Sequence, residues 1–312
     1  MLGGLMSETV VVTGAFSNTG KYATRILLER GYTVRTLTNH PPTGDARRPD
    51  PFGGRVKSFP YNFERPDELR RSLAGASTLI NTYWVRFPHG GATFETAVRN
   101  SRTLIQAAKE AGVTRIVHVS IANPSLDSRL GYYKGKALVE QAVRESGLAY
   151  AILRPTVVFG EGDILINNIA WFLRRFPVFA IPGAGNYSLR PIYVEDMARL
   201  LADSTESPGN TVRDAVGPET FRFEKLVRLI ARSVGRPARL VHVPTGVAYV
   251  GTLLTGWMVR DVVLTWEEYK GLTENLLASE GPAMGETRLS EWLAANAENV
   301  GRHYASEVAR HF

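Results

Sequence analysis

The stretch VVVTGAFSNTGKYATRILLERG, residues 10–31, decides the fold of this chain. Its β-branched opening predicts a strand buried on both faces, and its glycine-rich middle predicts a tight turn. Apolar residues then recur at helical spacing from Tyr22 to Leu27, and Gly31 suits the end of a helix. A strand, a turn and a helix in this order begin a βαβ unit.

Strand and helix patterns continue to alternate as far as residue 160. Further strands are predicted within residues 32–38, 54–63, 77–84, 115–120 and 149–160. Helices are predicted within residues 65–75, 93–113 and 132–148. This alternation with short turns predicts right-handed βαβ units and an open sheet covered on both sides. We therefore expect an α/β fold with a doubly wound, mostly parallel Rossmann sheet.

The regular alternation ends after Gly160. Stretches such as 165–179, 194–204 and 221–235 predict helices between short strands. We expect a nucleotide-binding domain over residues 1–160 and a smaller, mainly helical lobe over residues 161–312, with segments that return to the main sheet. Charged amphipathic helices are expected within 264–277 and 285–312, where they would suit a lid or a partner surface.

The composition is that of a soluble globular protein, with 44% hydrophobic and 21% charged residues among 312. The sequence has no cysteine, which excludes disulfides and thiolate chemistry and fits a reducing cytoplasm. The opening MLGGLMSETVVV lacks a basic region followed by a long apolar run, so no signal peptide is predicted. A cytoplasmic location is expected.

The net charge is +7, spread over short basic clusters without interleaved aromatic residues, so no nucleic-acid partner is predicted. A basic cleft for a phosphate-rich cofactor would use the same charge. The apolar segment 246–259 is shorter than the roughly 20 residues of a spanning helix, which favours a packed helix over a membrane span. An interfacial or partner-binding face is the alternative. The histidines show no paired metal spacing, and no metal is predicted.

The glycine-rich turn predicts a dinucleotide cofactor. Glycines in such turns allow a tight bend and a close approach to pyrophosphate, which then lies at the N-terminus of the helix. Here Gly14 and Gly20 are present, and Ser17 stands where the middle glycine would be. Serine is small and its hydroxyl can donate to phosphate. The candidate cofactor-binding residues of the turn are Gly14, Phe16, Ser17, Asn18, Thr19 and Gly20. A purely structural turn is the alternative.

The end of the second strand favours NADP(H) over NAD. NAD-binding proteins usually carry an acidic residue there to hold the ribose 2′-hydroxyl. The sequence VRTLTNH has none; it offers Arg35, Asn39 and His40, and Arg47 and Arg48 follow in the loop. Guanidinium groups suit a 2′-phosphate, so NADP(H) is the expected cofactor, with NAD as the alternative. Arg35 would otherwise be a solvent-facing strand residue.

Five motifs resemble the short-chain dehydrogenase/reductase superfamily: TGAFSNTGKY, HVSIAN, YYKGK, LRPTVVFG and RPIYVEDMA. The modified glycine turn and the segment NTYWVRFP resemble its atypical branch. That branch belongs to the NAD-dependent epimerase/dehydratase superfamily and is related to the nucleotide-binding accessory subunit of respiratory complex I, to NmrA-type redox sensors and to triphenylmethane reductase. The resemblance implies a Rossmann fold and NAD(P). It does not fix a reaction, because some members have lost catalysis.

The resemblance implies a catalytic set at the carboxyl end of the fifth strand. Tyr132 and Lys136 have the Tyr-x-x-x-Lys spacing of catalytic members, which places both on one helix face. The ammonium group would lower the pKa of the phenol, which acts as general acid or base. Ser120 would polarise a substrate carbonyl. Asn100 is the candidate for the family's asparagine, although the expected place, one helical turn away, is occupied by Ala97.

Other roles follow from the resemblance alone. It implies an adenine contact through Asn62 and Phe63, a ribose and pyrophosphate path along Asn81 and Thr82, and a nicotinamide contact at Pro155. Aromatic residues that would form a substrate wall, or simply pack, are Tyr83, Trp84, Phe87 and Trp171. Arg190 resembles a substrate-side arginine; alternatively it pairs with Glu195 or Asp196. His118 is expected to be a packed core residue.

The function expected from these features is that of an NAD(P)-dependent oxidoreductase. It would transfer hydride between NADP(H) and a carbonyl-type small molecule, or act as an epimerase or dehydratase through bound cofactor. The alternative is a sensor or a structural or assembly subunit that binds NAD(P) without turnover. Helices that flank such sheets often form dimers, which leaves a homodimer among the expected assemblies.

Overall fold

The computed structural model describes residues 8–45, 48–236 and 239–306. Within these residues the strands are β1 (Thr9–Thr13), β2 (Thr33–Leu37), β3 (Lys57–Phe59), β4 (Thr78–Asn81), β5 (Arg115–Val119), β6 (Ala149–Pro155), β7 (Val158–Phe159), β8 (Val178–Pro182), β9 (Ser188–Leu189), β10 (Ile192–Tyr193), β11 (Thr211–Ala215), β12 (Phe221–Arg222) and β13 (Arg239–Val243). The helices are α1 (Asn18–Glu29), α2 (Pro66–Leu73), α3 (Phe94–Glu110), α4 (Gly131–Glu145), α5 (Leu165–Arg175), α6 (Val194–Glu206), α7 (Phe223–Ser233), α8 (Thr245–Val259), α9 (Trp266–Thr273) and α10 (Leu289–Ala295).

Seven of the described strands form the central sheet, in the order β11-β6-β5-β4-β1-β2-β3. Strand β1 pairs in parallel with β2 on one side and with β4 on the other, and parallel pairing continues to β3 and, through β5, to β6. The strand order therefore reverses between β1 and β4. Sheets of this kind bind ligands outside the carboxyl ends of the strands at that point. The α/β Rossmann fold predicted from the sequence is confirmed.

Burial explains why β1 reads as a continuous apolar run. Val10, Val11 and Val12 are fully buried, because a central parallel strand is covered on both faces. Strand residues on one face of the sheet pack against apolar residues of α2, α3 and α4, such as Leu69, Leu104 and Val139. This core fixes the position of α4, the helix that carries Tyr132 and Lys136.

The chain divides into two compact units. The first comprises Met1–Arg154 and Met197–Arg213, and it contains the β-sheet core. The second comprises Pro155–Asp196 and Asp214–Phe312. Its core is built from residues of α5, α7 and α10 around Phe159, Ile181 and Leu226. The described part of the second unit also contains three two-stranded sheets, which pair β7 with β10, β9 with β12, and β8 with β13.

The C-terminal helices are shorter than the sequence pattern predicts. Within the stretch 285–312 the described helix is α10, which ends before its cap residue Asn296. A few residues later Gly301 adopts a φ of +72°, and a Cβ atom there would lie 2.5 Å from the carbonyl carbon of Ala170. The chain thus turns and approaches α5 closely, which ends the helical pattern. Residues 307–312 lie outside the described part of the chain.

The apolar segment 246–259 is helical and forms most of α8. Over the described residues, no helix has the length and apolar character needed to cross a membrane.

Candidate active site and nucleotide-binding turn

The glycine turn after β1 depends on Gly14, Ser17 and Gly20. Gly14 has a φ of +67°, which glycine adopts without strain. The Ser17 hydroxyl accepts a hydrogen bond from the Gly20 N–H at 3.2 Å and so caps α1. A Cβ atom on Gly20 would lie 2.0 Å from the Gly14 carbonyl oxygen. The close approach of helix and strand therefore requires a glycine at position 20, whereas position 17 accepts a capping serine.

The residues of this turn fit the pyrophosphate of a dinucleotide. The first N–H groups of a helix have no acceptor within the helix, and in α1 these belong to residues beginning with Asn18 and Thr19. The first turn of α1 carries no acidic side chain. Free amides and the positive end of the helix dipole both favour an anion at this place. Phe16 lies in the turn, with its ring 5.8 Å from that of Phe52.

The Arg35 and Asn39 side chains near the end of β2 make hydrogen bonds within the chain. The Arg35 guanidinium donates to the carbonyl of Ala74 at 2.8 Å, and the Asn39 side chain accepts from the Tyr61 N–H at 3.2 Å. His40 is exposed, and its backbone N–H donates to the Thr38 hydroxyl. Binding of a 2′-phosphate by Arg35 would require this side chain to leave Ala74, and that role stays a prediction. Arg47 lies outside the described residues.

An aromatic cluster stands beside the turn that follows β3. Phe63 stacks on Tyr61 with ring centroids 5.0 Å apart, and it contacts Tyr83 at the same distance. Asn62 adopts a φ of +46°, and its side-chain amide donates to Glu68 at 2.9 Å. These contacts fix the loop that leads into α2. The predicted contacts of Asn62 and Phe63 with adenine remain predictions.

Hydrogen bonds fix the residues at the carboxyl end of β4. The Thr82 N–H donates to the Thr13 hydroxyl at 2.6 Å, which ties this end to β1. The Asn81 carboxamide is fully buried; its oxygen accepts from the Tyr83 N–H at 3.0 Å, and its nitrogen lies 3.2 Å from Nδ1 of His118. Asn81 and Thr82 thus lie at the switch point of the sheet, where a ligand path was predicted.

Lys136 contacts the carboxyl end of β5, at the residue that precedes Ser120. The Lys136 ammonium group is buried and donates to the carbonyl oxygen of Val119 at 2.9 Å. Burial lowers the pKa of Lys136 to about 7, a change that the negative charge of Glu140 partly opposes. The next residue along the strand is Ser120, whose hydroxyl is buried and has no hydrogen-bond partner among the described residues. A buried hydroxyl that has no partner among the described residues is suited to a ligand oxygen.

The Trp84 ring contacts both Lys136 and Tyr132. Its ring centroid lies 4.7 Å from the Lys136 Nζ atom and 5.8 Å from the Tyr132 ring, which it meets edge-on. The indole is stacked with Phe94, and its N–H is buried without an acceptor among the described residues. A Cβ atom on Gly135 would lie 2.7 Å from the indole ring. Gly135 therefore makes room for Trp84 between Tyr132 and Lys136.

Asn100 reaches the same edge of the sheet through Tyr83. Its side-chain amide donates to the Tyr83 hydroxyl at 3.0 Å. Burial raises the pKa of Tyr83, and the hydrogen bond from Asn100 opposes that rise. Ala97, at the place expected for the family's asparagine, is fully buried in α3. Asn100 thus contacts Tyr83, a residue of the predicted aromatic wall, through a hydrogen bond.

His118 lies within β5 and is fully buried. Burial lowers its pKa to about 3, and the positive charge of Lys136 acts in the same direction. The imidazole is therefore neutral at ordinary pH. This agrees with a packed core residue. In the part of the chain that the structure describes, no group of acidic residues and histidines could hold a metal ion.

Pro155 and Arg190 belong to the second unit. Pro155 is the last residue of β6. The Arg190 guanidinium donates to the backbone carbonyls of Gly217 at 2.9 Å, Ser279 at 3.3 Å, and Gly281. Arg190 thus holds three backbone segments of its own unit together, and its substrate-side role remains a prediction.

The sequence analysis did not identify two residues of the site, Gly135 and Phe94. A glycine inside a helix costs about 1 kcal/mol relative to alanine, so Gly135 in YYKGK was a detectable signal of close packing. Phe94 carries no comparable signal, because an apolar residue at the start of an amphipathic helix has an ordinary core role.

Comparison with known proteins assigns the first unit. A family described as NAD(P)H-binding matches residues 14–164. Subunit 9 of the NADH dehydrogenase [ubiquinone] 1 alpha subcomplex, mitochondrial, of Mus musculus is 31% identical over 175 residues, which cover 54% of this chain and 44% of that protein. The chain thus spans less than half the length of this relative. A ceramide reductase of Caulobacter vibrioides is 26% identical over 256 residues, which cover 80% of this chain and 78% of that protein.

Among solved structures, the NADP(H) complex of the Citrobacter triphenylmethane reductase is similar to this chain. It superposes with a TM-score of 0.70 and covers 93% of this chain and 99% of that one, at 17% identity. This likeness and the strand order agree on a Rossmann fold. The match to the NAD(P)H-binding family and the similarity to the complex I subunit support the resemblance of this chain to the atypical branch of the short-chain dehydrogenase/reductase superfamily. The predicted resemblance is confirmed, and residues 14–164 form an NAD(P)H-binding domain.

Resemblance to this atypical branch leaves the reaction open. The relatives include a reductase and a subunit of a respiratory complex. Any statement about catalysis therefore depends on the arrangement of Ser120, Tyr132 and Lys136 in this chain.

Proposed function

We propose that this chain is an NADPH-dependent reductase of carbonyl-type small molecules. The observation that carries the proposal is the contact of Lys136, on the helix that presents Tyr132, with the Val119 carbonyl. The next residue is Ser120, whose hydroxyl has no partner in the part of the chain that the structure describes. The relative named ceramide reductase, of which the chain covers 78%, supports a reductase over a subunit without turnover. A cytoplasmic location and a small-molecule substrate belong to this proposal.

NADP(H) would be held along the carboxyl edge of the sheet. The amides at the start of α1 and the Ser17 hydroxyl would bind the pyrophosphate, and Thr82 would line the path beside it. The absence of an acidic side chain from Thr38 to Gly44 suits a 2′-phosphate. When bound, the cofactor supplies the hydride.

The residues of the chain supply orientation and the proton. The Ser120 hydroxyl donates a hydrogen bond to the substrate carbonyl oxygen and polarises it. The Tyr132 phenol gives its proton to the same oxygen as general acid. The Lys136 ammonium group stabilises the negative charge left on the phenol oxygen. Trp84 packs against both Tyr132 and Lys136 and shields them from water.

The pKa of Lys136 sets the pH range of this arrangement. With a pKa of about 7, the ammonium form is fully populated only below neutral pH. Above pH 7 the positive charge is lost, and with it the stabilisation of the phenolate. Reduction is therefore expected to slow as the pH rises through 7.

The neighbouring tyrosine allows a matched test of the proposal. Consumption of NADPH should be measured with a panel of aldehydes and ketones for the wild-type chain, Tyr132→Phe and Tyr133→Phe. Tyr133 is buried one residue away and lacks a lysine four positions later. We expect Tyr132→Phe to lose at least about a hundredfold in kcat and Tyr133→Phe to retain most activity. Turnover that survives in Tyr132→Phe would refute the assignment.

The panel also tests the alternative function. The similarity to the complex I subunit supports a nucleotide-binding subunit without turnover. Tight NADPH binding without consumption by any member of the panel would favour that alternative.

A further inference from the structure

Helix α8 exposes a continuous apolar face. Its sequence, TGVAYVGTLLTGWMV, contains no charged residue. The large apolar side chains at Val247, Val250, Leu253, Trp257 and Met258 are each between 53% and 85% exposed. At 100° per residue these five positions occupy an arc of about 140°. We call these five side chains the α8 face.

The opposite side of α8 is anchored within its own unit. Ala248 and Gly256 are buried. The ring of Tyr249 lies 5.1 Å from that of Trp266 and 5.7 Å from that of Tyr269. The Tyr269 hydroxyl also donates to the carbonyl of Thr245 at 2.6 Å. The α8 face is therefore the outer side of a packed helix, and its exposure follows from how α8 is held against α9.

The polar groups of α8 are compatible with an apolar medium. The hydroxyls of Thr252 and Thr255 donate to the carbonyls of Tyr249 and Gly251 within the same helix, so neither needs water. The outermost residue, Trp257, combines a large apolar ring with one N–H donor, a pairing that favours the boundary between lipid and water. A helix of 15 residues is about 22 Å long, which suits a position in the plane of a surface.

The charged residues that flank α8 in the sequence favour an anionic surface. Arg239 and Arg260 flank the segment that contains the helix, and both are exposed. The acidic residue that follows, Asp261, is nearly buried and accepts a hydrogen bond from the Tyr304 hydroxyl at 2.9 Å. The whole chain carries a net charge of +7, so two copies repel each other whereas an anionic surface attracts the chain.

We propose that the α8 face docks on an anionic lipid bilayer, with the helix in the plane of the surface and its apolar side chains among the outer acyl groups. Arg239 and Arg260 contribute electrostatic attraction to the lipid headgroups. A protein held in this way needs no membrane-spanning helix.

The test uses the full chain and vesicles without nucleotide or substrate, so its outcome does not depend on the proposed reductase activity. Binding is measured by co-sedimentation with vesicles of phosphatidylcholine and phosphatidylglycerol in equal parts, and with vesicles of phosphatidylcholine alone. We expect clear binding to the mixed vesicles and at least about tenfold weaker binding to phosphatidylcholine, because several basic charges lose their attraction.

Three variants test whether binding depends on the α8 face rather than on nonspecific adhesion to lipid. The double variant Val250→Gln with Trp257→Gln should bind the mixed vesicles at least about tenfold more weakly, because it removes two exposed apolar side chains. The control Leu126→Gln changes another exposed apolar residue, located in the first unit, and should bind within about twofold of wild type. Arg260→Gln should weaken binding about fivefold to the mixed vesicles only. All these positions are exposed, so unchanged thermal unfolding is expected of each variant.

Three results would overturn the proposal. The wild type does not bind the mixed vesicles; the double variant binds as well as wild type; or light scattering finds a wild-type dimer that the double variant converts to a monomer. The last result would assign the α8 face to a second copy of the chain.

Discussion

The ammonium group of Lys136 lies 4.7 Å from the centre of the Trp84 indole. The same ring meets Tyr132 edge-on, and Gly135 leaves the space that it fills. An aromatic face attracts a cation, and more strongly when both are removed from water. Trp84 therefore favours the charged form of Lys136, while burial favours the neutral form and prevails, since the pKa of Lys136 falls to about 7.

The first prediction concerns Trp84→Phe. Phenylalanine keeps the site apolar but attracts a cation less strongly than tryptophan, so the pKa of Lys136 should fall further. We expect the decline of kcat/KM on the alkaline side to move to lower pH by roughly half a unit. Trp171→Phe is the control, because Trp171 contacts Arg175 at 4.2 Å in the second unit. A pH profile that is identical in wild type and Trp84→Phe would show that the indole does not act on Lys136.

The second prediction concerns the stability cost of Lys136. Folding lowers its pKa from 10.5 to about 7, so at pH 7 and below the folded state is penalised by roughly 5 kcal/mol. Between pH 7 and 10.5 the unfolded chain binds the proton more strongly, and this contribution makes the protein more stable as the pH rises. Lys136→Met should therefore be inactive yet more stable than wild type at pH 6, with the difference narrowing by pH 10.

Thermal unfolding of both proteins across that pH range is the measurement. Lys134→Met serves as the control, because Lys134 is exposed on the same helix. A stability difference for Lys136→Met that does not change with pH would contradict the account.

The third prediction concerns the glycine turn. In Gly20→Ala the new methyl group would lie 2.0 Å from the Gly14 carbonyl oxygen, so α1 or β1 must shift. We expect a loss of stability of about 1–3 kcal/mol and at least about a tenfold loss of NADPH affinity. Gly91→Ala, where a Cβ atom would meet no neighbour within 4 Å, should change neither quantity. Undiminished NADPH binding by Gly20→Ala would place the nucleotide elsewhere.

The fourth prediction concerns acid sensitivity. The pKa of His118 falls from 6.5 in the unfolded chain to about 3 on folding, so its contribution to stability is complete above pH 6.5 and is lost as the pH falls towards 3. Between pH 6.5 and 4 this loss amounts to roughly 3 kcal/mol. In His118→Gln the free energy of unfolding, measured by denaturant titration, should decrease less as the pH falls below 6.5. In His40→Gln, at an exposed position, its pH dependence should match that of wild type. An equally steep limb in His118→Gln would assign the sensitivity to other groups.

Local patterns were sufficient to predict the sheet and the position of α4. The apolar run of β1, the spacing of Gly14 and Gly20, and the interval between Tyr132 and Lys136 are all short-range signals. The sequence could not predict which contacts the longer side chains make. Arg35, the predicted ligand of a 2′-phosphate, donates to the carbonyl of Ala74, 39 positions away, and no local pattern indicates this contact. Such directions depend on packing between elements distant in sequence.

Other features depended on tertiary context in the same way. The position of β11 beside β6 is set by strand pairing across about 60 residues of chain, for which no local pattern exists. The end of α10 follows from the close approach of Gly301 to α5, whereas the amphipathic pattern alone continues further. The aromatic contact of Trp84 with α4 joins residues about 50 positions apart.

The central claim is that the turn between β1 and α1 binds NADPH in a site whose catalytic acid is Tyr132. Its most direct test is a parallel titration of wild type and Tyr132→Phe with NADPH and NADH, followed by quenching of tryptophan fluorescence. The account predicts that both proteins bind NADPH with similar affinity, at least about tenfold more tightly than NADH. No binding of either nucleotide, or tighter binding of NADH, would contradict it.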